Sequence, residues 1–158
     1  MGVAPPSSKA RRTLRVCAIR PYSARIRTRV FGTLEELGMR VDALVEAGEG
    51  NDAAIALVEA TRADVLLIPF HAHRSHTGEL LDGLTLIQRI RAEVPIHATT
   101  PILCPISNVG VAAAGLMKSR LGGPFLQRVL LIYEDDLGRP SLPGEITKFL
   151  RECGLAAA

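Results

Sequence analysis

The chain has 158 residues, 47% of them hydrophobic, 22% charged and 4% aromatic with no Trp, and a formal net charge of +3. That size and balance fit one domain around an aliphatic core, with nothing to suggest disorder beyond the ends. The longest clean apolar run, VLLIPF at 65–70, is far short of the roughly 18 residues that span a bilayer, and the N-terminus carries no apolar secretory stretch, so a cytoplasmic location without membrane insertion is expected.

Residues 1–12, rich in Pro, Ser and basic side chains, read as a flexible basic arm, with a single domain expected over 13–155. LRVCAI (14–19) has the pattern of a buried strand. Pro21 opens a helix through YSARIRTRVFGTLEELG, which Gly38 closes. MRVDALVEA (39–47) alternates like a second strand and leads through GEGN into the helix DAAIALVEATR (52–62). ADVLLIPF (63–70) is another buried run, followed by a long histidine-bearing loop. LLDGLTLIQRIRAE (80–93) then sets Leu80, Leu81, Leu84, Ile87 and Ile90 at helical spacing. TPILCPIS (100–107) reads as the fourth strand, GVAAAGLMKSRLGG (110–123) as a small-residue helix, QRVLLIYED (127–135) as the fifth strand and PGEITKFLREC (143–153) as the last helix.

Five apolar strands alternating with helices predict an α/β fold: a doubly wound, five-stranded parallel sheet of flavodoxin type, with helices on both faces. Ligands of such sheets bind at the carboxyl ends of the strands. Cys17, Cys104 and Cys153 are odd in number and show no CxxC spacing. They predict neither a disulfide framework nor a zinc ribbon, and those within strands are expected to behave as small buried hydrophobes.

Over about residues 14–153 the chain resembles a response-regulator receiver domain. The resemblance rests on LRVCAIRPYSARIRTRVFGTLEELG, on VEAGEGNDAAIALVEATRADVLLI and, most specifically, on DGLTLIQRIRAE followed by TPIL. It implies a place in two-component signal transduction. In that family a magnesium-assisted phosphoryl transfer modifies an Asp at the end of the third strand. An acidic pair after the first strand helps to hold the metal, and a Thr or Ser and a Lys after the last two strands contact the phosphoryl group. Here the acidic pair is replaced by Arg20 and Pro21, and the Asp by Pro69. The hydroxyl position falls on Ile106, with Ser107 one residue later, and Tyr133 or Glu134 stands where the Lys belongs. A guanidinium repels Mg²⁺, and proline offers no nucleophile. The expectation is a pseudo-receiver that keeps the fold without phosphorylation chemistry, is not an enzyme and uses no cofactor.

For such a domain the family's usual output surface implies a protein interface containing Met117, Lys118, Arg120, Tyr133, Lys148 and Arg151, serving a partner protein, a homodimer or both. An alternative starts from the basic N-terminal third. Eight of the 19 Lys and Arg residues precede the first acid, Glu35, and Arg20, Arg25 and Arg29 are candidates to bind an anion such as a nucleotide second messenger. Arg25 and Arg29 share a helix face, whereas Arg27 points elsewhere. Scarce aromatics argue against nucleic acid. A third alternative is a hydrolytic metal site on His71, His73 and His76. No carboxylate precedes Glu79 there, and His97 is expected at the other end of the sheet, so the expectation is no metal. Pro69 and Gly83 are separated by roughly six residues more than in a receiver, which makes the histidines part of a lengthened loop over the former site.

Overall fold

Along LRVCAI successive side chains leave the strand on opposite sides. Val16 and Ala18 enter one core and Cys17 and Ile19 the other, all four fully buried. A strand buried on both faces requires cover on both faces, which governs the rest of the architecture. The computed structural model describes residues 13–19, 24–45, 50–70, 72–74, 80–106 and 127–155. The strands are β1 (Leu14–Ile19), β2 (Met39–Val45), β3 (Val65–Leu67), β4 (Ala72–Arg74), β5 (Leu80–Asp82), β6 (Ile102–Ile106) and β7 (Val129–Tyr133). Five of them form a parallel sheet in the order β2-β1-β3-β6-β7, while β4 and β5 pair antiparallel beside it. The expected doubly wound five-stranded sheet is present.

Helix α1 runs over 24–36 as Ala24–Ile26, a π-helical segment Arg27–Phe31 and Gly32–Glu36. It ends at Gly38, whose φ of 85° is the left-handed conformation that glycine adopts without penalty. Helices α2 (Gly50–Ala60), α3 (Gly83–Glu93) and α4 (Leu142–Glu152) complete the described set. One core lies between the sheet and α2 and α3, and contains Ile55, Val58, Leu86, Ile87 and Ile90. The other lies under α1 and α4, with Val30, Leu34, Ile146 and Leu150. Arg89 of α3 joins Asp52 of α2 at 2.7 Å and Glu93 at 2.9 Å, tying neighbouring helices on the first face. The helix expected over 110–123 lies outside the described residues.

The β3 to α3 connection differs from the expectation of a long loop leading into a helix at Leu80. Its backbone forms a short hairpin in which Ala72, His73 and Arg74 oppose Asp82, Leu81 and Leu80. Pairing satisfies the peptide groups of 80–82, so the helix waits until Gly83. That residue is placed by contact: a Cβ on Gly83 would lie 2.1 Å from the carbonyl oxygen of Pro69 and 3.0 Å from Cα of Phe70. Only a residue without a side chain can begin α3 this close to the end of β3.

At the amino end of the sheet, polar side chains fasten the connections. Arg91 donates from Nη1 to the carbonyls of His97 (2.9 Å) and Thr100 (2.7 Å), and from Nη2 to those of Gln127 (3.2 Å) and Arg128 (3.4 Å). Burial, then the cation of Arg128, pull this guanidinium down to about 10. Buried His97 points Nε2 at the carbonyls of Val58 (3.1 Å) and Thr61 (3.0 Å) and Nδ1 at the Thr100 hydroxyl (2.9 Å). Two carbonyls at Nε2 require a proton there. Arg128, with φ 63°, donates to the carbonyls of Thr99 and Cys153. The segments before β6 and β7 are thereby tied to α2 and to the end of α4.

Candidate functional site

The carboxyl ends of the strands are where this architecture places ligands. At β1 and β6 the ends are apolar: Ile19 is fully buried and Ile106 is 1% exposed. The ladder of β3 continues beyond Leu67, because Ile68 donates its amide to Leu103 and Phe70 donates to Pro105, both at 2.9 Å. Pro69, between them, is buried, with α3 starting directly against its carbonyl. Tyr133 and Glu134, at the end of β7, are half-buried. The described residues at the ends of β1, β3 and β6 thus supply no carboxylate, whereas Mg²⁺ is held by hard oxygen ligands. Arg20, Pro21 and Ser107 lie outside the described residues.

Beside β7 the surface opens into a cleft of about 270 Å³ lined by Ala24, Arg25, Thr28, Arg29, Leu137 and Gly138. Its walls are α1 and the 3₁₀ turn Glu134–Gly138. Arg25 and Arg29 face the cleft together and Arg27 is not among its lining residues, as helical spacing predicts. Arg29 is partly committed to the fold: its Nε donates to the carbonyl of Leu137 (2.5 Å) and its Nη2 to that of Arg139 (3.3 Å). Asp136 in the turn pairs with Arg139 at 2.9 Å.

Of the expected partner surface, Lys148 and Arg151 are exposed one turn apart on α4, opposite the buried Ile146 and Leu150. Tyr133 packs against the core under α2 and α3, on the other side of the sheet from α4, although β7 is an edge strand. Met117, Lys118 and Arg120 lie outside the described residues, as do His71 and His76; of His73 only the place in β4 is described. His97 is at the amino end of the sheet, in contact with Val58 and Thr61, as expected. Among the described residues no three of His, Cys, Asp and Glu gather into a metal-ligand set, and no helix is long and apolar enough to cross a membrane.

All three cysteines are free, with Cys17 and Cys104 buried in strands. Burial pushes the Cys104 thiol up to about 12 and raises that of Cys153, in the second case against the pull of Arg128. A thiol held protonated is a poor nucleophile, which fits packing rather than chemistry. Sequence reasoning passed over Arg91, which resembles any basic residue on an amphipathic helix; Gly83 it marked as the start of the third helix, without its contact with Pro69.

No protein-family model matches the chain and no curated protein matches it. Solved structures do. The chain is similar to the receiver domain of AraT, a response regulator from Geobacillus stearothermophilus, with TM-score 0.56 and 19% identity over 90% of this chain and 93% of that one. It is also similar to NtrX from Brucella abortus, solved in complex with ADP, with TM-score 0.52 and 18% identity over 90% of this chain and 30% of that one. A third likeness is to the N-terminal signal receiver domain of a two-component response regulator from Bacteroides fragilis, with TM-score 0.52 and 10% identity, covering 92% and 100% of the two chains. At these identities the likeness shows a shared fold, the receiver-type α/β sandwich.

Proposed function

From this receiver-type fold we propose that the chain is a signalling or regulatory domain that works without phosphorylation, by contact with a partner protein. The observation that carries the reading is Pro69. In the place that the receiver resemblance gives to the phospho-accepting Asp stands a buried imino acid with no nucleophilic atom, closed over by the first residue of α3. Ile19 and Ile106 beside it are buried hydrocarbon, so the vacated position is packed as core. A domain so built cannot switch by gaining an acyl phosphate, and its output must come from a surface that is presented or withheld by other means.

Lys148 and Arg151, exposed on α4, and the half-buried Tyr133 are the described part of that surface, and the two cations favour an acidic partner face. Homodimerisation through the same region belongs to this reading, as do the lengthened connection with its histidines and the location in the cytoplasm. The test is light scattering on the purified protein together with cross-linking in its native host, with and without Lys148→Glu and Arg151→Glu. A defined complex, dimeric or heteromeric, that weakens on charge reversal supports the reading. A monomer whose cross-links are unchanged by both substitutions opposes it.

A further inference from the structure

We propose that the cleft between α1 and the turn after β7 binds the phosphoryl group of a small phosphomonoester, with Arg25, Thr28 and Arg29 as its donors. This goes beyond the interaction reading and stands without it. The three donors sit at i, i+3 and i+4 of one helix and all line the cleft, so they converge on a single volume. Arg29 is already oriented: the carbonyls of Leu137 and Arg139 hold Nε and Nη2, which leaves Nη1 without a partner among the described residues. A guanidinium fixed in this way loses little freedom when an anion docks on its remaining edge. Arg25 and the Thr28 hydroxyl make no hydrogen bond or ion pair among the described residues, so they are available at no structural expense.

Charge selects the ligand. Among the described residues no carboxylate lines the cleft, and Asp136 in the adjoining turn is engaged by Arg139. Two guanidinium groups and a hydroxyl at one place suit a group that carries nearly two charges and three acceptor oxygens, which is a phosphomonoester rather than a carboxylate. Leu137 is buried and Ala24 is small, so part of the wall is apolar and strengthens each ionic hydrogen bond. A volume of about 270 Å³ is at the small end for ligand pockets, which fits the phosphoryl end of a molecule whose remainder stays at the mouth. The π-helical segment Arg27–Phe31 carries two of the three donors, and such widened turns concentrate at functional positions.

The test is amide NMR on the full chain, titrated separately with inorganic phosphate, adenosine monophosphate and acetate. The expected result is saturable shifts at Thr28 and Gly138 with phosphate and with the monophosphate, in the millimolar range or tighter, and none with acetate. Arg25→Ala should weaken that binding by roughly tenfold or more, the loss of one charge-assisted bond. Because Arg25 makes no hydrogen bond or ion pair among the described residues, the thermal midpoint should stay where it is, and Arg25→Gln should reproduce the loss with the side-chain stem retained. Three results would overturn the proposal: no saturable shift by about 10 mM phosphate, unchanged affinity in both Arg25 variants, or acetate binding as tightly. Shifts with phosphate but not with the monophosphate would also overturn it, since the cleft would then reject an ester. None of these outcomes bears on whether the protein docks a partner through α4.

Discussion

Replacing Gly83 by alanine tests, with a single methyl group, how closely α3 is seated on the end of β3. The added Cβ would stand 2.1 Å from the Pro69 carbonyl oxygen and 3.0 Å from Phe70 Cα, and all of these atoms belong to backbone. An ordinary contact between carbon and oxygen needs roughly 3.4 Å, so α3 or the end of β3 must retreat by more than about 1 Å. Neither is free to do so. Leu86, Ile87 and Ile90 of α3 are fully buried, and the amides of Ile68 and Phe70 bond to β6. Overpacking of this kind costs up to about 3 kcal/mol or somewhat more. In a domain of this length that should lower the thermal midpoint by roughly 6–12 °C. Urea unfolding followed by circular dichroism measures it. Gly32→Ala is the control, because its Cβ meets nothing within 4 Å inside α1, and it should be neutral or stabilising by up to about 1 kcal/mol. A Gly83→Ala protein within about 1 kcal/mol of the parent would refute the claim that α3 is seated on Pro69.

Arg91→Ala should cost about 3 kcal/mol in urea unfolding, because two close carbonyls and two more distant ones lose a charged donor; a loss below about 1 kcal/mol would mean that water replaces it. Arg91→Lys should rescue little, since one ammonium cannot span four acceptors. With a thiol reagent at neutral pH the folded protein should leave Cys17 and Cys104 unmodified until it is unfolded, and immediate labelling of Cys104 would contradict its burial. The folded state keeps the Cys104 proton up to about pH 12, whereas an ordinary thiol loses it near 9.0. Its contribution to stability is therefore present below pH 9.0 and lost as pH rises toward 12, which unfolding midpoints of a Cys104→Ala control should fail to show.

Much of this was legible in the sequence, for identifiable reasons. The runs LRVCAI and VLLI announced strands covered on both sides, and the alternation of Val16 and Ala18 with Cys17 and Ile19 bears that out. Gly38 announced the end of α1 because a left-handed residue there favours glycine. The five-stranded parallel sheet was expected from the alternation of apolar strands with helices, a global pattern that needs no side-chain detail. What escaped is non-local. The β4 and β5 hairpin depends on six residues meeting across a connection, which no periodicity marks, and Leu80 and Leu81 fitted a helical pattern equally well. Arg91 owes its role to carbonyls as far away as Gln127 and Arg128. The spacing of Arg25 and Arg29 was visible, whereas their opposing wall, Leu137 and Gly138, comes from the far end of the chain. Pro69 stood out in sequence as a missing nucleophile; the seating of Gly83 upon it is a fact of packing.

The proposed function requires that this receiver-type domain take no phosphoryl group at the end of β3. Incubation of the intact protein with acetyl phosphate and Mg²⁺, read by intact-mass spectrometry, tests it most directly, with a parallel NMR titration of beryllofluoride. An unchanged mass and no beryllofluoride shifts around Ile19, Pro69 and Ile106 are expected. A stoichiometric acid-labile phosphoryl adduct on an aspartate, or saturable beryllofluoride binding beside Pro69, would contradict it.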